Sequence, residues 1–243
     1  MSATILILHP GMSDETSWRR VADRLRPRFA VILRCRRRYR MDLDPPAGIG
    51  AEVADTIALA GDARPVLVGH SSGGVVALEA LLAAPDAFAG AVLYEPPVVT
   101  GLPLGGAVAG QARDALDDGR YRHAAHLFLR DIVRIPRTAA WVSSVLIAAV
   151  PGWRRFVPRQ IDDTLAIDAL GDRRARYAAV RRPVLLLGGD RSPGHLGERL
   201  DALAAVLPHA ERVTLRGRGH GANTSAPDQV AAVVAGFAAR IEP

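Results

Sequence analysis

Residues 66–82 read VLVGHSSGGVVALEALL. The run from Val66 to Val68 is too short for a helix and lacks strict alternation, which suits a strand buried on both faces of a parallel sheet. From Gly74 onward the pattern turns helical. Between the two lies Gly69-His70-Ser71-Ser72-Gly73, a G-x-S-x-G on a strand-to-helix turn, the setting of a nucleophile elbow. A serine on such a turn has strained backbone angles, so its neighbours must be small, and Gly69 and Gly73 supply that space. The turn lifts the Ser71 hydroxyl clear of the sheet, and the positive end of the following helix favours an anion beside it. The competing reading is a glycine-rich turn that binds phosphate. It lacks both the G-x-G-x-x-G spacing and a following lysine.

Working outward, similar apolar runs occur at Thr4 to His9, Ala30 to Arg34, Ala91 to Glu95, Val184 to Leu187 and Arg212 to Leu215. Helical patterns lie at Glu15 to Leu25, Ile49 to Ala60, about His195 to Val206, and Ser225 to Ile241. Strand and helix alternate at both ends of the chain, which predicts a doubly wound α/β fold with a mostly parallel sheet of about six or more strands. From about Pro97 to Val180 strand-like runs disappear and arginine-rich amphipathic stretches take over. The predicted organisation is therefore a core of residues 1–97 and 181–243 with a helical cap at 98–180.

Composition limits the chemistry. The chain has 243 residues, 49% of them apolar and 23% charged, a balance that argues for one folded domain and against disorder. All 31 basic residues are arginine. Without lysine there is no Schiff base, no pyridoxal phosphate anchor and no P-loop amine. The lone Cys35 has no intramolecular disulfide partner, which favours a reducing compartment. The N-terminal stretch has no basic segment before its apolar run, and no run approaches the roughly 18 to 20 apolar residues of a membrane span. A cytoplasmic protein that binds neither membrane nor nucleic acid is expected, its oligomeric state open.

A serine nucleophile needs a base, usually histidine. His220, in Gly217-Arg218-Gly219-His220-Gly221 directly after the last predicted strand, is placed to reach Ser71. His9 and His70 end strands beside the turn and read as pocket lining. His123 and His126 have helical spacing but no Glu-x-x-His partner, so no metal site is expected. The run Arg34-Cys35-Arg36-Arg37-Arg38-Tyr39-Arg40 reads as a solvated, partly ion-paired loop, with an acidic carrier such as a CoA or phosphopantetheine thioester as the sharper alternative. Its charge would lower the pKa of Cys35. Trp141, Trp153, Phe156, Phe128 and Val157 are the bulky apolar residues available to roof a pocket.

The segments HPGMSDETSW (9–18), GHSSGG (69–74), VLYEPP (92–97), VLLLGG (184–189) and GRGHG (217–221), in this order and over nearly the whole chain, resemble the α/β-hydrolase family. The resemblance implies Ser71 as nucleophile, His220 as general base, and an oxyanion hole made by the Ser72 N–H and one from the loop after the first strand. Pro10 stands where the family usually has glycine and has no N–H. Gly11 is then the first choice for the second donor, with Met12 behind it. The family's usual acid position falls near Ser192, with Asp190 two residues early. Haloalkane dehalogenases, similar in fold though with an aspartate nucleophile, carry a glutamate after the preceding strand, where this chain has Glu95. Glu95 and Asp190 are both candidates, Glu95 favoured. The implied function is cofactor-free cleavage of an ester, lactone or thioester through acyl-Ser71. A lyase or cyclase using the same pocket, or a catalytically silent binding protein, are the alternatives.

Overall fold

Each of the six apolar runs becomes a strand. The structure is a computed structural model and describes residues 3–241. The strands are β1 (Thr4–Leu8), β2 (Ala30–Leu33), β3 (Val66–His70), β4 (Gly90–Tyr94), β5 (Val184–Gly189) and β6 (Ala210–Leu215). They form one sheet in the order β2-β1-β3-β4-β5-β6, and every pairing is parallel. The helices are α1 (Arg19–Leu25), α2 (Gly50–Ala60), α3 (Ser72–Ala83), α4 (Gly106–Asp117), α5 (Tyr121–Leu127), α6 (Arg137–Ala149), α7 (Pro151–Arg154), α8 (Phe156–Leu170), α9 (Arg174–Tyr177), α10 (Gly194–Ala204), α11 (Ala222–Ser225) and α12 (Pro227–Arg240). None of them is long and apolar enough to cross a membrane.

Strand alternation divides the core between the two faces of the sheet. Leu6, Leu8, Leu67, Leu93 and Leu186 pack with α3 and with residues of α2, α8 and α10. Ile5, Ile7, Val68, Val92 and Leu187 pack with α1 and α12. The four inner strands β1, β3, β4 and β5 are covered on both faces and are almost wholly apolar, which is why they read as continuous runs, whereas the edge strand β6 exposes Glu211, Arg212 and Thr214.

Between β4 and β5 the chain runs through α4 to α9, with a π-helical turn at Phe128–Ile132 continuing α5. A small core of Ala112, Ala115, Leu127, Val157 and Ile161 joins α4, α5 and α8. The Asp168 carboxylate of α8 accepts the N–H groups of Leu104, Gly105 and Gly106 at the start of α4, so the insertion is pinned from within. The C-terminal helix begins two residues later than its periodicity suggests. Pro227 takes the first helical position, where its missing N–H costs nothing, and α11 precedes it as a separate turn.

Leu67 lies at the centre of this packing and is fully buried. Leu67→Ala should destabilise the protein by about 2 to 5 kcal/mol. In a urea titration this would appear as a lower midpoint with an unchanged slope.

Candidate active site

The chain passes from β1 outward to β2 and then returns to β3 on the other side of β1. The carboxyl ends of β1 and β3 therefore form a topological switch point, the place where open α/β sheets bind ligands. Ser71 follows β3 with φ 52° and ψ −127°, outside the regions that L-residues ordinarily occupy. Three bonds hold it there. Its N–H donates to the Tyr94 carbonyl at 2.9 Å, and its own carbonyl accepts from the N–H groups of Gly74 at 2.8 Å and Val75 at 3.3 Å. A Cβ on Gly73 would stand 2.5 Å from the carbonyl oxygens of Leu8 and His9, so α3 is pressed against the end of β1 as only glycine allows.

His70 pairs with Tyr94 across the β3–β4 ladder. Ser71 and Glu95 are therefore the first residues past adjacent strands, at the same height. Glu95 also has positive φ, 46°. Its carboxylate is buried and fully engaged: Oε2 lies 2.6 Å from His220 Nδ1, and Oε1 accepts the Gly189 N–H at 2.8 Å. The loop carrying His220 is held by Tyr94, whose hydroxyl donates to the Gly219 carbonyl and accepts the Ala222 N–H at 3.2 Å. Ser71 and His220 border one cavity. Neither Ser71 Oγ nor His220 Nε2 is otherwise engaged among the described residues, which leaves each free to turn toward the other.

The N–H groups of Gly11, Met12 and Ser72 make no hydrogen bond among the described residues. Met12 also has positive φ, 53°. A Cβ on Gly11 would overlap Gln160 Oε1 of α8 at 1.8 Å, so this loop lies directly beneath the inserted helices. The cavity is small, about 50 Å³, and is lined by Ser71 and His220, by apolar residues including Phe128 and Val133, and by Gln160, Thr164 and His195. A larger cleft of about 630 Å³ opens between β2 and α2, but Ser71, Glu95 and His220 are not among the residues lining it.

The model of the alpha/beta hydrolase family matches residues 5–233. The chain belongs to that family. No curated protein matches it in sequence. An alpha/beta hydrolase from Sphaerobacter thermophilus superposes with a TM-score of 0.81 at 26% identity, covering 97% of this chain and 92% of that one. A thermophilic esterase from Thermogutta terrifontis gives 0.75 at 20% identity, covering 100% and 92%. A 2-hydroxy-6-oxo-6-phenylhexa-2,4-dienoate hydrolase from Rhodococcus gives 0.65 at 22%, covering 96% and 89%.

Within this α/β hydrolase several residues lie elsewhere than the sequence suggests. Asp190 does not meet the imidazole. Its Oδ1 accepts the Gly217 N–H at 2.7 Å and braces the histidine loop. His9 and His70 are buried in the protein rather than lining the cavity. His9 Nε2 accepts the Arg36 N–H at 2.9 Å, and His70 stacks on Tyr94 with ring centroids 4.4 Å apart. Trp141 and Trp153 are about half exposed, because α6 turns Ala140 and Ser144 inward and so carries Trp141 out. Phe156 packs against Tyr39 instead of the cavity.

The arginine run is not a solvated loop throughout, since Arg36 and Arg38 are buried. Cys35 is pushed up to about 12, not down, by burial and by Glu15 beside it. Gln160, Thr164 and His195, absent from the sequence reading, line the cavity. The first two share a face of α8 with Asp163 and Ile167 at i, i+3, i+4 and i+7, a helical spacing that could have grouped them.

Three imidazoles are held neutral. Burial, reinforced by Arg36, brings His9 down to about 3, and burial with Arg199 brings His195 to about 4. Burial beside His220 holds His70 well below its usual range. In the unfolded chain each protonates near 6.5, so between about pH 6.5 and 4 unfolding takes up protons and stability must fall as pH falls. Urea unfolding midpoints should drop across this window with an uptake of about two to three protons per molecule. A flat profile between pH 6.5 and 4.5 would contradict the neutral assignment.

Proposed function

We propose that this α/β hydrolase is a serine hydrolase that cleaves esters or thioesters of small acyl groups through an acyl-Ser71 intermediate. The observation that carries this reading is the 2.6 Å contact between Glu95 Oε2 and His220 Nδ1, with His220 on the same cavity as Ser71. A carboxylate on Nδ1 fixes the tautomer that leaves Nε2 to accept a proton and stabilises the imidazolium that results. Ser71 Oγ attacks the acyl carbon while Nε2 takes its proton. The oxyanion is received by the Ser72 N–H and by that of Gly11 or Met12. His220 then protonates the leaving group, and the acyl-enzyme is hydrolysed by water that gives its proton to the same nitrogen.

The irregular sequence at Ser192 no longer argues for a non-hydrolytic reaction once Glu95 serves as the acid. The inserted helices act as a cap over the cavity. Its volume of about 50 Å³ holds a few water molecules, far below the 300 to 1,000 Å³ of pockets for larger ligands, and this supports a short acyl group.

A fluorophosphonate probe should label Ser71 in the folded protein and fail to label Ser71→Ala. Glu95→Gln should lower turnover of p-nitrophenyl acetate by about 10⁴, whereas Asp190→Asn should change it little. Along the series acetate, butyrate, octanoate, kcat/KM should fall. Folded wild-type protein that is not labelled would sink the reading, and a preference for octanoate would sink the assignment of acyl size.

A further inference from the structure

Two arginines and two acids are buried together where α8 meets the sheet. Arg36 Nε lies 3.1 Å from Glu52 Oε1 of α2, and Arg36 Nη2 lies 3.3 Å from Asp163 Oδ1 of α8. Arg38 Nε is 3.4 Å from Glu52 Oε2 and 3.3 Å from Asp163 Oδ1. Two positive and two negative charges balance, which a buried ionic group requires. Arg36 and Arg38 outweigh the effect of burial and hold Asp163 below the usual carboxylate range.

Arg36 does more than balance charge. Its Nη1 donates to Ser72 Oγ at 2.8 Å and to the His9 carbonyl at 3.4 Å, and its backbone N–H donates to His9 Nε2 at 2.9 Å. Ser72 and the loop that starts at His9 are the two walls of the proposed oxyanion hole. One guanidinium therefore spans both walls while its other nitrogens are held by Glu52 from α2 and by Asp163 from the insertion. With Asp163 withdrawn, two guanidinium groups compete for Glu52 alone, and the contact with Ser72 loses its support.

We propose that Arg36 is a positioning residue that sets the width of the oxyanion hole, and that Asp163 fixes Arg36 from the cap, so that seating the cap and forming the hole are one event. This rests on the serine-hydrolase reading above. It assigns no chemistry to Arg36 or Asp163 themselves.

The test uses Ser72→Ala, Arg36→Lys and Asp163→Asn in the full-length protein. Ser72→Ala keeps the backbone N–H and removes only the hydroxyl that Arg36 holds, without stranding a charge, so it guards against variants that fail to fold. Kinetics on p-nitrophenyl acetate are normalised to sites titrated with the fluorophosphonate. Inhibition by a trifluoromethyl ketone, which places an oxyanion in the hole, is measured in parallel. Each variant should lose about tenfold or more in kcat per titrated site, with KM changed by no more than about threefold, because the hole acts on the transition state. The ketone's Ki should rise by the factor by which kcat/KM falls.

A merely structural role would lower the melting temperature and leave kcat per titrated site and Ki unchanged, and that result overturns the proposal. If the wild type is neither labelled nor active, the hydrolase reading falls and takes this one with it. If the wild type is labelled and active while the variants match it site for site, only the positioning role falls.

Discussion

The backbone of Ser71 is the constraint on which the rest of the site depends. A non-glycine residue at φ 52° and ψ −127° is disfavoured by about 1 to 3 kcal/mol and persists only where its surroundings over-determine it. Here the surroundings are the parallel register itself. The β3–β4 pairing places the Tyr94 carbonyl to receive the Ser71 N–H, and the first turn of α3 closes over the Ser71 carbonyl. The β1–β3 pairing brings the ends of Leu8 and His9 against Gly73. A slip in either ladder would remove one of these supports. The strain at Glu95 is contained in the same way, by its N–H bond to the Leu187 carbonyl at 3.0 Å and by its carboxylate bond to Gly189.

The loop that carries His220 is irregular and is supported by groups around it. Tyr94 supports it by satisfying one carbonyl and one N–H of the loop, and its ring stacks on His70. His70 lies 4.6 Å from His220 between ring centroids. Were His70 charged, it would oppose an imidazolium at His220. Burial keeps it neutral, so it acts as a flat apolar support whose Nδ1 accepts the Trp18 indole N–H at 3.3 Å. Asp190 completes the arrangement from the far side through Gly217. A carboxylate near the expected acid position thus serves the loop that holds His220.

The legible parts of this molecule are those set by local periodicity and by motifs tied to backbone geometry. The four inner strands are legible because parallel strands covered on both faces are almost continuously apolar, while the edge strands β2 and β6 show only as shorter runs. Ser71 was readable because its turn tolerates only small neighbours. The position of Glu95 was readable only as one of two alternatives. Which carboxylate reaches His220 depends on how far the β5 end and the histidine loop stand from each candidate, a distance between segments remote in sequence. The roof of the cavity is only partly legible for a related reason: of the bulky aromatic residues, Phe128 lines it while Trp141, Trp153 and Phe156 do not. Side-chain bulk suggests a lining, yet helix phase decides which side chains face inward, and at Trp141 the phase is set by the smaller Ala140 and Ser144. The lining instead includes Gln160 and Thr164, polar residues on a helix whose partners are invisible until α8 is docked.

The absence of lysine, which at first only excludes amine chemistry, acquires a positive meaning at Arg36. The basic run separates residue by residue: Arg36 and Arg38 turn inward, whereas Arg37 and Arg40 turn outward to Asp55 and Asp42. The inward pair cannot be read as stored charge for an anionic partner, since each is already matched by Glu52 and Asp163. What the interior position requires is a rigid planar group with several N–H vectors fixed relative to one another. Arg36 uses them on Ser72, His9, Glu52 and Asp163 at once. An ammonium has three donors on a flexible stem and would satisfy the charge without fixing the spacing of its partners. The guanidinium fixes both, which makes the geometry beside Ser71 a property of the cation chosen as much as of the fold that surrounds it.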